Sequence, residues 1–202
     1  MTTPAATPRA LLPSSPIKLY RAAISGHSHR VELFLSLLSL PYDLVDVDLA
    51  AGAHKKSEFL ALNPFGQVPV IQDGAFTLAD SNAILVYLAS SYAASPEQWL
   101  PSEPLAAAQV QRWLSVAAGL LAFGPAYARV IQLFKSPASP DDAIARAHGL
   151  FKVMEQQLGA TAFLAGPTVT LADVANYSYV SVHLRAMCRW SITPTCAHGW
   201  PV

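Results

Sequence analysis

The spacing of apolar residues changes period near residue 100, and that change constrains the architecture more than any other feature of the chain. Before it, strand and helix periods alternate; after it, only the helical period survives. IKLY from Ile17 reads as a strand, and beyond a Gly/Ser/His loop Val31, Phe34, Leu35 and Leu38 fall at helical spacing. Pro41 stops that helix. DLVDVDL sets Leu44, Val45, Val47 and Leu49 against Asp43, Asp46 and Asp48, which predicts a second strand, and SEFLAL predicts a short helix. QVPVIQDGAFTLAD predicts two strands across Asp73-Gly74, and DSNAILVYLASSY a helix capped by Asp80 or Ser81. The order β-α-β-α-β-β-α is therefore expected over residues 17–91, with the first two strands parallel. A linker with prolines and polar residues is expected at 92–104. Beyond it, LAAAQVQRWLSVAAGLLAF, DDAIARAHGLFKVMEQQLG and LADVANYSYVSV predict an all-α domain over 105–182.

Charge narrows the function. Thirteen Lys+Arg balance thirteen Asp+Glu, and no basic run exceeds Lys55-Lys56, so nothing supplies the counterion release that nucleic-acid binding needs. The chain is 52% hydrophobic and only 13% charged, against roughly 25% in an average domain, an excess that reads as an interface. The stretch from Trp113 to Ala128 is uncharged, but Gly119, Gly124 and Pro125 interrupt it and it falls short of a bilayer span, so no membrane is expected. Residues 1–16 hold four prolines and no apolar signal core, and are expected to be a disordered leader. The two cysteines, Cys188 and Cys196, form neither a disulfide framework nor a metal spacing. A cytoplasmic protein without a metal is the expectation.

Three segments carry a more specific message. NPFGQVPV at 63–70, ADSNAILVYLA at 79–89, and FLAG followed by TVTLADVANYSYV at 163–180 resemble, in this order and spacing, the cytosolic glutathione transferase superfamily of the bacterial type. The loop LYRAAISGHSHRV is similar to the LYSYFRSSCSWRV loop of zeta-class transferases, so a zeta/theta-like serine site is implied. The resemblance implies a thioredoxin-like glutathione-binding domain followed by a helical one. It also implies a homodimer in which one protomer's thioredoxin-like domain meets its partner's helical domain. The activity implied is addition of the glutathione thiolate to small electrophiles, a detoxification chemistry with glutathione as co-substrate. A glutathione-dependent cis–trans isomerase and a non-catalytic binding module are the alternatives.

The site residues follow from the same resemblance. The Val68-Pro69 bond is cis in this family and turns the Val68 backbone toward the cysteinyl part of glutathione, which is held like an added strand. Asp80 and Ser81 match the pair that takes the γ-glutamyl ammonium and carboxylate, and a helix start suits a carboxylate on physical grounds as well. Ser25 matches the serine that donates to the thiolate, with Ser28 as the alternative. A thiol titrates near pH 8.5, and a hydrogen bond to its charged form, about 1.5–3 kcal/mol, lowers that by about one to two. His54, Lys55 and Gln67 stand where the family contacts the glycine carboxylate or peptide backbone, and solvated surface is the competing reading. Gly66 replaces the histidine ligand of some classes. No cysteine occupies the loop, which argues against disulfide-exchange branches. In the helical domain, Thr170 and Asp173 read as a capping box, with the Thr170 hydroxyl on the Asp173 N–H. Trp113, Phe123 and Tyr127 are spaced either to line an apolar acceptor pocket or to pack in the core.

The tail departs from the family. After Val182 the family continues with an A-P-E-G turn and a helix carrying V-R-A-W-L, whereas residues 183–202 read HLRAMCRWSITPTCAHGWPV. Suitable codons for those residues, read one base out of phase, encode A-P-E-G-D-V-S-L-E-H-Y-A-N-V-R-A-W-L-A-R. The tail is therefore expected to be the product of a one-base loss near codon 183.

Overall fold

Strand β1 (Ile17–Arg21) buries Ile17 and Leu19 and turns Lys18 outward, the period-two pattern of a sheet covered on one face. It pairs in parallel with β2 (Tyr42–Asp46), which requires the crossover helix α1 (Gly26–Leu37) between them. A 3-10 turn at Ala53–Lys55 and helix α2 (Ser57–Leu60) return the chain to β3 (Val70–Asp73). Strand β3 lies antiparallel to β1, and β4 (Phe76–Ala79) lies antiparallel to β3 across the Asp73-Gly74 turn, where Gly74 takes a φ of 56°. The sheet order is β2-β1-β3-β4, and α3 (Ser81–Tyr92) packs beside α1. This is the thioredoxin-like arrangement that the resemblance implied. Its core holds Ile17, Leu19, Val31, Phe34, Val70, Ile71, Ile84 and Leu85, each contributing about 1.5–3 kcal/mol of apolar burial.

The computed structural model describes residues 12–186, with the backbone alone for 182–186, and divides into units meeting at Pro101 and Ser102. Two expectations need correction in the first unit. Strand β2 ends at Asp46 rather than Leu49, because β1 ends at Arg21 and leaves no further partner once Val47 N–H has bonded Arg21 C=O at 2.7 Å. As an edge strand β2 does not alternate cleanly. Leu44 is 41% exposed, and Val47 joins a small cluster with Phe59 and Val70. The expected linker at 92–104 is also partly structured: α4 (Pro96–Trp99) starts on a proline, and the Trp99 ring meets Phe34 edge-on at 4.9 Å.

The second unit contains α5 (Pro104–Ala118), α6 (Tyr127–Leu133), α7 (Asp141–Ala160) and α8 (Leu171–Ala186). Glu103 starts α5 by accepting the Leu105 and Ala106 N–H groups at 3.0 and 2.7 Å. Between α5 and α6 the chain makes a π-helical turn at Ala122–Ala126, where Pro125 has no N–H for the α ladder. Gly124 lets this turn approach α7, since a Cβ there would lie 3.2 Å from the Ala147 nitrogen. The helical run Pro104–Leu133 is long and apolar enough by composition to cross a membrane, longer than the uncharged stretch alone indicated. Its Val110, Trp113, Leu114, Ala117 and Leu121 are buried, and α5 packs on α8 as a core helix does. Helix α8 continues four residues past the expected domain end at 182, to Ala186. Leader residues 1–11, Cys188, Cys196 and the tail from 187 onward lie outside the described residues.

Candidate functional site

The sheet register brings three loops to one place. Tyr20 lies opposite Val70, and Val70 opposite Ala79. The loop from Ala22 to Ser25, the Val68-Pro69 bond and the Asp80-Ser81 pair therefore all leave the same end of the sheet. The Val68-Pro69 bond is cis. Among the described residues, the Val68 N–H and C=O make no hydrogen bond, so an edge is open to an extended peptide.

Ser25 is the N-cap of α1. Its Oγ accepts the Ser28 N–H at 3.3 Å, which leaves the hydroxyl proton to be donated. The side chain is partly exposed at the positive end of α1. Ser28 is different. It is 1% exposed, and its Oγ accepts the Ala22 N–H at 3.3 Å, which braces the loop from beneath.

Asp80 caps α3 by accepting the N–H groups of Asn82 and Ala83, both at 2.9 Å, on one carboxylate oxygen. Its φ of 72° is rare for a residue with a side chain and marks a backbone held in strain at this point. Ser81 is buried beneath the helix start, and three side-chain atoms gather there. Arg30 Nη1 donates to Ser81 Oγ at 3.1 Å and to Asn82 Oδ1 at 2.8 Å, and His27 Nδ1 lies 3.4 Å from the same Ser81 oxygen. Burial first and the Arg30 guanidinium second lower the His27 pKa from its ordinary 6.5 to about 4, against the pull of Asp80. Sequence reasoning passed over Arg30, because a lone arginine next to Val31 in an amphipathic helix reads as surface.

Other expected site residues divide. Lys55 Nζ donates to the Phe65 and Gly66 carbonyls at 3.4 and 3.2 Å, so its charge is engaged in holding the loop before β3. Gly66 has a φ of 59°, and a Cβ there would lie 2.8 Å from the His54 carbonyl. A histidine at this position is thus excluded by the fold of this loop. His54 is partly buried, with Nδ1 shut away from solvent and unbonded among the described residues. Gln67 is exposed, and its carbonyl accepts Asn63 Nδ2 at 2.8 Å. In the second unit, Trp113 is 2% exposed with its carbonyl held by Asn176 Nδ2 at 3.1 Å, which makes it core rather than pocket wall. Phe123 is 62% exposed and lines an open groove of about 600 Å³ with Arg112, Val116, Leu120 and Arg146; Tyr127 is exposed but outside that lining. Among the described residues, no three His, Cys, Asp or Glu side chains come together to hold a metal ion.

A thioredoxin-like sheet with a cis-proline and two helix N-termini at one end defines the class of fold, and comparison with known proteins defines the family. Residues 15–90 match the family described as glutathione S-transferase, N-terminal domain. Over 173 residues the chain is 39% identical to Glutathione S-transferase 3 of Zea mays, covering 81% of this chain and 76% of that protein. It superposes with a TM-score of 0.77 and 35% identity on a glutathione S-transferase from Pseudomonas fluorescens, covering 84% and 85% of the two chains. A glutathione transferase homolog from Drosophila mojavensis, solved with bound glutathione, aligns with a TM-score of 0.78 and 25% identity over 91% and 82%. The chain belongs to the glutathione S-transferase family. Nothing in these relatives favours the isomerase or the binding-module alternative.

Proposed function

We propose that the chain transfers glutathione to small electrophiles with Ser25 as the thiolate donor. Val68 holds the cysteinyl backbone, Asp80 takes the γ-glutamyl ammonium and Ser81 its carboxylate. The observation that carries this reading is the register Tyr20–Val70–Ala79, which gathers a free hydroxyl, an unpaired backbone edge and a helix start at one end of the sheet. A thiolate beside Ser25 receives one charge-assisted hydrogen bond and the positive end of α1, together enough to ionise a thiol near neutral pH. The uncommitted thiolate then adds to the electrophile. Lys55 and His54 lie toward the glycine end, where Lys55 acts on glutathione through the loop it holds.

The loop from Leu19 to Val31 favours a zeta/theta-type serine site, the apolar excess favours a homodimer, and two cysteines without a disulfide framework favour a reducing cytoplasm. The tail from 183 is best explained by a one-base loss in the gene, which resequencing around codon 183 decides. Retention on glutathione-agarose followed by turnover of a generic electrophile tests the main reading. A protein that neither binds the resin nor turns over the electrophile would refute it.

A further inference from the structure

We propose that Arg30 is a positioning residue that fixes Ser81 as a hydrogen-bond donor and places a buried positive charge under the γ-glutamyl carboxylate. This rests on the assignment of Ser81 to that carboxylate. The first turn of α3 has its donors accounted for: Asp80 Oδ1 takes the N–H groups of Asn82 and Ala83, and the Ile84 N–H bonds the Asp80 carbonyl. What the turn leaves for an anion is the Ser81 N–H and hydroxyl.

A hydroxyl both donates and accepts, so its direction must be set by its neighbours. A guanidinium has donors only. Arg30 Nη1 at 3.1 Å therefore makes Ser81 Oγ an acceptor on that side and directs its proton elsewhere, and the second Nη1 proton goes to Asn82 Oδ1. His27 Nδ1 lies at a long 3.4 Å from Ser81 Oγ, with the donor set by the imidazole tautomer, and a carboxylate outcompetes it for the Ser81 proton because bonds to a charged oxygen are stronger. Arg30 itself has no exposed surface. Its charge is thus poorly screened and acts on an anion at Ser81 from within the protein. The same side chain, rooted in α1 one turn beyond Ser25, ties the helix that holds the thiolate to the helix that holds the carboxylate.

Calorimetry with glutathione and with its γ-glutamyl α-carboxamide analogue tests the assignment. Arg30→Met is expected to weaken glutathione about 10- to 50-fold, and Arg30→Lys, which keeps charge and donor, to lose about fivefold or less. Affinity for the carboxamide is expected to change little in either, since no anion remains at the Ser81 end of the ligand. The loss should appear as a rise in KM for glutathione that exceeds any fall in kcat, with the pKa of the bound thiol kept. A folded Arg30→Met protein that binds glutathione within about twofold of the parent, or loses as much for the carboxamide, overturns the proposal. If Arg30→Met does not fold, Asn82→Ala decides in the same way, by removing the second anchor of the guanidinium: selective loss for the carboxylate supports the role, and equal loss or none overturns it. Ser81→Ala separates the layers. Parent-like glutathione binding in Ser81→Ala removes Ser81 from the site, whereas weak binding there with parent-like Arg30→Met removes Arg30 alone.

Discussion

Ser25 accepts the Ser28 N–H as a helix cap and keeps its hydroxyl proton, which the proposed role directs to a thiolate. Replacing Ser25 by Ala removes both, yet their readouts differ. The cap costs about 1 kcal/mol of stability, while the thiolate bond costs turnover. Ser25→Ala is expected to lower kcat about 10- to 100-fold and raise the pKa of bound glutathione by about one to two, which ultraviolet titration of the thiolate measures. An unchanged thiol pKa would take Ser25 out of the chemistry. His27 makes a second prediction. Its folded pKa is near 4 against 6.5 unfolded, so the unfolded chain binds more protons between these values and stability falls as pH drops through that window. At pH 5 this amounts to about 2 kcal/mol, and His27→Gln is expected to flatten the difference between urea melts at pH 7 and pH 5 by that amount. Equal pH dependence in the two proteins would contradict it. At this scale the sequence pointed to residue types more reliably than to roles. Ser25 caps α1 and Ser28 lies in its first turn, and only burial, nearly complete at Ser28 and partial at Ser25, tells the two hydroxyls apart. Arg30 was invisible because its partners, Ser81 and Asn82, lie fifty residues away in sequence.

Elements were legible where a pattern is local. The Asp73-Gly74 hairpin, the parallel β1–β2 pair and the helices α7 and α8 follow directly from turn chemistry and periodicity. Features set by neighbours were not, as the short β2 and the folded α4 show. The capping box at α8 was half legible. Asp173 Oδ2 does accept the Thr170 N–H, at 2.9 Å, but the Thr170 hydroxyl accepts from Ala172 at 3.2 Å rather than from Asp173. Asp173 Oδ1 also holds the Leu164 N–H at 2.9 Å, a tie nine residues back that no spacing rule contains. Burial raises the Asp173 pKa despite the hydrogen bonds from Leu164 and Thr170 that favour its charge, so this carboxylate is costly to bury and is retained for the backbone groups it satisfies. Asp173→Ala leaves the Leu164 and Thr170 N–H groups buried without an acceptor. The expected loss is about 2–4 kcal/mol in urea unfolding, with glutathione affinity of the surviving folded protein unchanged, since the box belongs to the second unit. A loss under about 0.5 kcal/mol would mean that solvent or a rearranged loop satisfies those groups.

At the scale of the whole chain, the two-unit organisation was readable from one change of period, because each unit buries its own apolar pattern. The one-base loss proposed for the tail rests on its disagreement with the family sequence alone, since residues 187 onward lie outside the described ones. In that proposal an out-of-phase reading would supply twenty residues with an A-P-E-G turn and an apolar helix, whose Leu, Val and Trp side chains would need burial. Four such side chains at about 1.5–3 kcal/mol each give roughly 6–12 kcal/mol as an upper bound, comparable with the 5–15 kcal/mol of an ordinary domain. Under the proposed one-base loss, residues 183–202, rich in Pro, Cys, Arg and His, stand in place of that helix, and the repaired gene would add most of that term. A gene repaired by one base near codon 183 is therefore expected to yield a protein that melts at least about 10 °C higher than the present chain, with more of it soluble. The gain should vanish when the restored helix carries Asp in place of its two leucines, which separates packing from mere length. Equal melting temperatures for the repaired and the present chain would refute a structural role for the restored tail, whatever the genomic sequence around codon 183.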